Sequence, residues 1–314
     1  MNIFKYLMSL LVITSFSLGV IAQEDDSDVE EVVVTGSKIK SADLYSFAPV
    51  TEITAEDIAV TGKASIGEIL LELPSQGSGL SRNYNNGGSG AVRIDMRNLG
   101  STRNLILVDG RRWVNSGGGA NASVDLNSIP TAMVERVEIL RDGASAVYGS
   151  DAIAGVINII TKSDYSGTSA TYQMGEYFDG GGQSEVMTFT VGESFGKASY
   201  IAGVSVVDLM ALGNGERPQT AARPANGGSA GTPQGRFAYS GVVGDCSNFT
   251  VNEGTTGTDV ADYRCWASPD DRFNYNPYNY VETPNKRLNA FAKMTRELDS
   301  GQTVRLDFMY QKRD

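Results

Sequence analysis

The stretch VDLNSIPTAMVERVEILRDGASAVYGSDAIAGVINIITK, residues 124–162, decides how the rest of the chain is read. Pro130 suits the first position of a short helix running to Val134, because its missing N–H has no partner to lose there. Val137 to Leu140 reads as a strand. Val156 to Thr161 (VINIIT), β-branched at every position but Asn158, reads as a strand of the buried kind. Between them, Arg141 to Gly149 (RDGASAVYG) resembles a phosphate loop at first sight. It lacks the Lys-Ser/Thr pair that closes such a loop, so its glycines are read as sharp-turn residues, with Tyr148 and Asp151 structural.

Working upstream, Val50 to Ile53 is a short strand, and Thr54-Ala55-Glu56-Asp57 has the form of a helix N-cap followed by acids. Ser65-Ile66-Gly67-Glu68 repeats that pattern; Ile66, Ile69, Leu70 and Leu73 then recur at helical spacing until Pro74 stops the run. A Gly/Asn-rich loop covers Gly77 to Gly90. Val92 to Met96 and Asn104 to Val108 read as strands, and Asp109-Gly110 is a tight-turn signal before Trp113. Residues 46–163 therefore make a compact α+β domain of about 115 residues, enough to bury its own core.

Downstream the texture changes. In Thr303 to Tyr310, Val304, Leu306, Phe308 and Tyr310 share one face, and Thr303, Arg305, Asp307 and Met309 the other. Ser199 to Val206 alternates in the same way. Segments near 168–177, 185–195, 198–208, 287–296 and 302–313 read as five antiparallel strands of residues 168–314. Their connections are short except for one very long loop, 212–286. That asymmetry favours an outer-membrane β-barrel over a soluble sandwich.

At the N-terminus, Lys5, the apolar stretch Leu7 to Ile21 and the small residues before Gln23 read as a signal peptide, residues 1–22. An acidic tether, residues 23–45, follows, carrying the β-branched run Val32, Val33, Val34, Thr35. Such a strand on a solvated tether suits addition to a partner's sheet edge. The 314 residues include 36 glycines and no histidine, and the net charge is −11. The lack of histidine excludes His-based triads and His metal sites, and an acidic chain without a basic cluster argues against nucleic acid. Neither a catalytic carboxylate pair nor a cofactor or metal motif stands out. Cys246 and Cys265 suit pairing in an oxidising compartment, with a free thiol pair as the other reading.

Four stretches, EEVVVTGSKI (30–39), RIDMRNLGSTRNLILVDGRR (93–112), residues 124–162 and DRFNYNPYNYVETPNKR (271–287), resemble the TonB-dependent outer-membrane receptors. The resemblance implies that Val32, Val33, Val34 and Thr35 form the TonB box, whose partner is the periplasmic TonB energy-transducing protein. It further implies that residues 46–163 are a plug inside a barrel embedded in outer-membrane lipid. Arg97 and Arg141 match plug arginines that pair with barrel glutamates in the family. Two apical loops would offer Tyr84, Asn85, Asn86, Trp113, Asn115 and Asn121 to a ligand. Phe273, Tyr275, Tyr278 and Tyr280 would line the vestibule or an outer aromatic belt, and Cys246–Cys265 would staple the long outer loop. Where the family has Arg-Gly-Leu-Gly, this chain has Arg97-Asn98-Leu99-Gly100; Asn tolerates positive φ, so the turn is expected to survive. Family barrels have 22 strands. Five strands leave open edges that lipid does not tolerate, so the sequence is expected to be part of a longer receptor and not transport-competent alone. The implied activity is energised uptake of an iron-siderophore or oligosaccharide, rather than passive ligand binding or enzyme catalysis.

Overall fold

A computed structural model of the chain describes residues 50–83, 90–116, 123–222 and 227–314. The tether strand Val32–Thr35 and the ligand-loop residues Tyr84, Asn85, Asn86 and Asn121 lie outside the described residues.

The plug is one mixed sheet with three short α-helices. β1 (Val50–Thr54) leads into helix α1 (Ala55–Thr61) through a reciprocal cap. The Thr54 hydroxyl accepts from the Asp57 amide at 3.2 Å, and the Asp57 carboxylate accepts from the Thr54 amide at 2.9 Å. Gly62 ends the helix at φ 66°, a conformation that costs glycine nothing. Ser65 caps α2 (Ile66–Leu70) by accepting from the Gly67 amide. This helix stops short of Leu73. The amides of Glu72 and Leu73 bond the carbonyls three residues back, so the last turn has tightened before Pro74.

Val92 to Met96 corrects the strand reading. It forms only isolated bridges, Leu80 with Arg93 and Gln76 with Met96. Its alternation is real, since Val92, Ile94 and Met96 are buried. Side chains nevertheless take several of its amides: Asp125 holds that of Val92, Gln76 that of Asp95 and Asn104 that of Met96. Pro130 is likewise the cap of a one-turn 3-10 helix, Thr131–Met133, rather than the first residue of a helix reaching Val134.

β2 (Asn104–Val108), β3 (Arg111–Arg112), β4 (Val134–Leu140) and β5 (Gly155–Thr161) complete the sheet in the order β1-β4-β5-β2-β3. Only β2 and β5 run parallel, and they are buried on both faces. Ile106, Ile157 and Ile139 align across β2, β5 and β4 in the larger core, while Leu105, Leu107, Leu140 and Val156 pack on the opposite face with Ala144 and Ala152. Between β4 and β5 lies the short helix α3 (Ser145–Tyr148). Ile157 has no exposed surface. Ile157→Ala is expected to cost the plug about 2–5 kcal/mol, read as a lower urea midpoint at unchanged slope.

The second sheet is an antiparallel meander: β6 (Gly167–Gly175), β7 (Ser184–Phe195), β8 (Ala198–Leu209), β13 (Asn285–Glu297) and β14 (Thr303–Arg313), open at β6 and β14. These agree with the five expected strands to within about three residues at each end. Within the long loop lie β9 (Leu212–Gly213) paired with β12 (Tyr280–Glu282), the short helix α4 (Pro218–Ala221), and β10 (Phe249–Val251) paired with β11 (Tyr263–Cys265). One face of the meander is apolar and open. Leu306, Met294 and Tyr200 sit side by side across three strands, with Val304, Phe308 and Tyr310 beside them, all exposed. The other face meets the plug. Ile201, Val207, Leu209 and Phe291 are buried there, alongside Asn285, Arg287 and Asn289. Gly203 stands opposite Phe291; a Cβ at Gly203 would lie 2.6 Å from that ring, so the glycine makes its room.

Candidate functional site

The seam between plug and wall is where the chain concentrates its charge. Period-two geometry places Arg287, Asn289 and Lys293 of β13, and Arg305, Gln311 and Arg313 of β14, on the inward face. The plug answers mainly with carboxylates and amides. At one end, Asp109 and Gly110 have φ 48° and 75°, the two positive values of a type I′ hairpin between β2 and β3. The turn aims the Asp109 carboxylate back at β5, where it accepts from the Thr161 amide at 2.8 Å and hydroxyl at 2.5 Å. The same carboxylate accepts from Arg305 and lies 3.7 Å from Lys293. Burial alone would raise this carboxyl, but the Thr161 hydrogen bonds and the wall cations outweigh it and hold the group below its ordinary value. Lys293 also donates to the Thr161 hydroxyl at 2.8 Å.

Toward the long-loop end, Asp125 caps the 3-10 turn Leu126–Ser128 by accepting from the Asn127 amide, and it pairs with Arg313. Asn127 accepts from Arg287 through its side chain and from the Gln311 amide through its carbonyl at 2.7 Å. Arg287 also donates to the Ala64 carbonyl at 3.1 Å. A third tie reaches the base of the long loop. Arg82 pairs with Glu282, the Arg82 carbonyl accepts from the Thr283 amide and hydroxyl, and the Tyr177 hydroxyl donates to Glu282 at 2.7 Å. Burial, with that acceptor and its charge, pushes the Tyr177 hydroxyl up to about 12.

Arg97 is exposed at φ 56° and donates to the Ile153 carbonyl at 2.8 Å. Asn98 takes φ 56° in place of the family glycine, so the turn stands. Arg141 is exposed just past the end of β4, where Arg136 engages Glu135 and Glu138. Trp113 and Asn115 line one cavity of about 140 Å³, although the Trp113 indole N–H is taken by Ser128 at 2.8 Å and the ring packs on the plug core. Phe273 and Tyr278 stack with ring centres 5.7 Å apart. Cys246 and Cys265 form a disulfide with Cα atoms 5.5 Å apart, joining the loop just before β10 to the end of β11. Among the described residues no group of three or more His, Cys, Asp or Glu side chains is placed to hold a metal ion.

The seam residues Asp109, Asp125, Asn127, Arg287, Lys293, Arg305 and Arg313 were not singled out from sequence as plug–wall contacts. The usable signal was the register, since the alternation that put Leu306 and Phe308 on one face put Arg305 on the other.

A small mixed-sheet domain is thus held by polar contacts against the inward face of a five-stranded antiparallel meander, whose outward face is apolar and whose two edges are open. Residues 44–156 match the family described as the TonB-dependent receptor plug domain. Solved structures it is similar to include the siderophore receptor PirA from Pseudomonas aeruginosa (19% identity, TM-score 0.47, covering 84% of this chain and 35% of that one). Another is a mutant of the ferric enterobactin receptor PfeA from Pseudomonas aeruginosa in complex with enterobactin (22%, TM-score 0.48, 85% and 41%). A third is the siderophore receptor PirA from Acinetobacter baumannii (22%, TM-score 0.45, 84% and 40%). The chain spans less than half the length of each.

Proposed function

We propose that this chain is the plug-bearing part of an outer-membrane receptor that takes up a scarce ligand, of the iron-siderophore or oligosaccharide class, using energy delivered by TonB. The observation that carries the reading is the plug-domain match joined to a plug held by hydrogen bonds and ion pairs against the meander. A polar seam can exchange its partners for water, so a pulled plug can shift without exposing a large apolar face. The signal peptide at residues 1–22 delivers the protein to the periplasm, and the apolar strand face holds it in the outer membrane. The pull enters at Val32, Val33, Val34 and Thr35 by strand addition to TonB.

Val33→Pro removes a backbone donor from that strand and fixes its φ. In the complete receptor, the variant is expected to reach the outer membrane at normal level and bind ligand with unchanged affinity. Its energised uptake, followed with a radiolabelled ferric siderophore or oligosaccharide panel, should fall at least about tenfold, the loss of roughly one ladder hydrogen bond with its register. Uptake at the wild-type rate would refute the proposal.

A further inference from the structure

The long outer loop leaves the wall after β8 and rejoins it before β13 through a narrow neck, the β9–β12 pair, where Leu212 stands opposite Glu282 and Gly213 opposite Tyr280. The plug holds this neck at the end of β12. The Arg82 carbonyl accepts from the Thr283 amide and hydroxyl, each at 2.9 Å, and the Arg82 guanidinium pairs with one oxygen of Glu282. The other oxygen of Glu282 accepts from the Tyr177 hydroxyl at 2.7 Å, which ties the β6–β7 turn to the same residue. The side chains of the ion pair are only 9% and 16% exposed. Beside them a cavity of about 400 Å³ opens between plug and wall, lined by Arg82, Tyr177, Glu282 and a second acid, Glu68 of α2. Glu68 makes no hydrogen bond or ion pair with another described residue.

We infer that Arg82 and Glu282 form a latch between the plug and the outer-loop neck, and that the latch opens when Arg82 passes from Glu282 to Glu68. A buried guanidinium withdrawn from its acid is strongly destabilising, so such a pair parts readily only where a second acid waits. Glu68 is that acid: it lines the same cavity and belongs to the plug, as Arg82 does. A close-packed interior would hold the long side chain in place, whereas an open cavity leaves it room to swing. Burial raises the Glu68 carboxyl, and Arg82 heads the cations that oppose the rise, ahead of Arg287 and Lys63, with Glu282 adding to it. The inference rests on the uptake reading for the movement that works the latch. A plug drawn away from the neck carries Arg82 and Glu68 together and leaves Glu282 with Tyr177 alone. The outer loop is then released by the same shift that moves the plug, and the plug keeps its charges matched.

Hydrogen exchange followed by mass spectrometry on the complete protein in detergent, without TonB or ligand, tests the latch. Glu282→Gln and Arg82→Gln are each expected to speed exchange of the neck amides, residues 210–214 and 279–284, at least about tenfold, with β13 and β14 unchanged. The two together should do no more than either alone, because both remove one interaction. Unchanged neck exchange in Glu282→Gln, or effects that multiply in the double variant, overturns the inference. Urea unfolding tests the handover. Glu282→Gln and Glu68→Gln each leave Arg82 one acid, and together they leave it none. The pair is expected to lower the folding equilibrium constant at least about tenfold beyond the product of the single effects, or to abolish folding where both single variants fold. A simple product overturns the handover. If a single variant does not fold, Tyr177→Phe decides. It removes one hydrogen bond to Glu282 and strands no charge, so neck exchange should still rise at least about threefold, and unchanged exchange overturns the latch. Uptake at the wild-type rate in the Val33→Pro receptor refutes the TonB reading and leaves these measurements untouched.

Discussion

Asp109→Ala is expected to destabilise the plug against the meander by about 3 kcal/mol or more, because it removes one carboxylate that serves three structures. That carboxylate closes the β2–β3 hairpin onto β5 through Thr161, and it receives Arg305 and approaches Lys293 from two different wall strands. Removing it leaves the Lys293 ammonium, whose side chain is 9% exposed, without its acid. Asp109→Asn keeps an acceptor for Thr161 and loses only the charge, so it is expected to cost less. The pH dependence has a definite sign. The folded carboxyl titrates below its ordinary value of 3.8, so its contribution is fully present above that pH and is lost as the pH falls through the lower folded value. Urea unfolding of the detergent-solubilised protein, followed by tryptophan fluorescence, measures both effects. An alanine variant within about 0.5 kcal/mol of wild type, the range of an ordinary surface substitution, would show that the seam does not depend on Asp109.

How much of this was legible in the sequence depends on the range of the interaction concerned. The barrel-type strands were readable because every second side chain of Thr303–Arg313 and of Ala198–Leu209 faces a different medium, and short turns fix the ends. The Thr54 cap and the Asp109-Gly110 hairpin were readable because their partners lie within a few residues. Val92–Met96 misled for a physical reason: burial imposes period two on any extended segment, but a ladder also requires a neighbouring backbone, and here side chains supply several of the partners. The seam was the least legible part. Asp125 with Arg313 and Asn127 with Arg287 are separated by 188 and 160 residues, and no local pattern encodes which inward cation meets which plug carboxylate or amide. The contacts that tie the plug to these strands run mainly from acids and amides on the plug to cations on the wall.

Gly155→Val is expected to destabilise the plug at least as much as a truncation in its core. Gly155 opens β5 with φ 148°, a conformation that a β-branched residue enters only at a cost of about 1–3 kcal/mol. It also lies where there is no space. A Cβ there would stand 2.6 Å from the Leu140 carbonyl oxygen and 2.7 Å from the Met96 terminal methyl. The Leu140 oxygen belongs to the backbone of β4 and cannot move without breaking the β4–β5 ladder, so the overlap adds about 1–3 kcal/mol more. Together these come to about 2–6 kcal/mol, which reaches only the lower end of a small domain's stability, about 5–15 kcal/mol. β5 is also the strand that carries Thr161 to Asp109, so a misplaced β5 opens the seam as well as the core. Limited proteolysis of the protein should then cut the plug while leaving the strands of the meander intact. A Gly155→Val plug as protease-resistant as wild type would mean that the Leu140 carbonyl and Met96 can yield together, and that β5 is not the rigid centre of this domain.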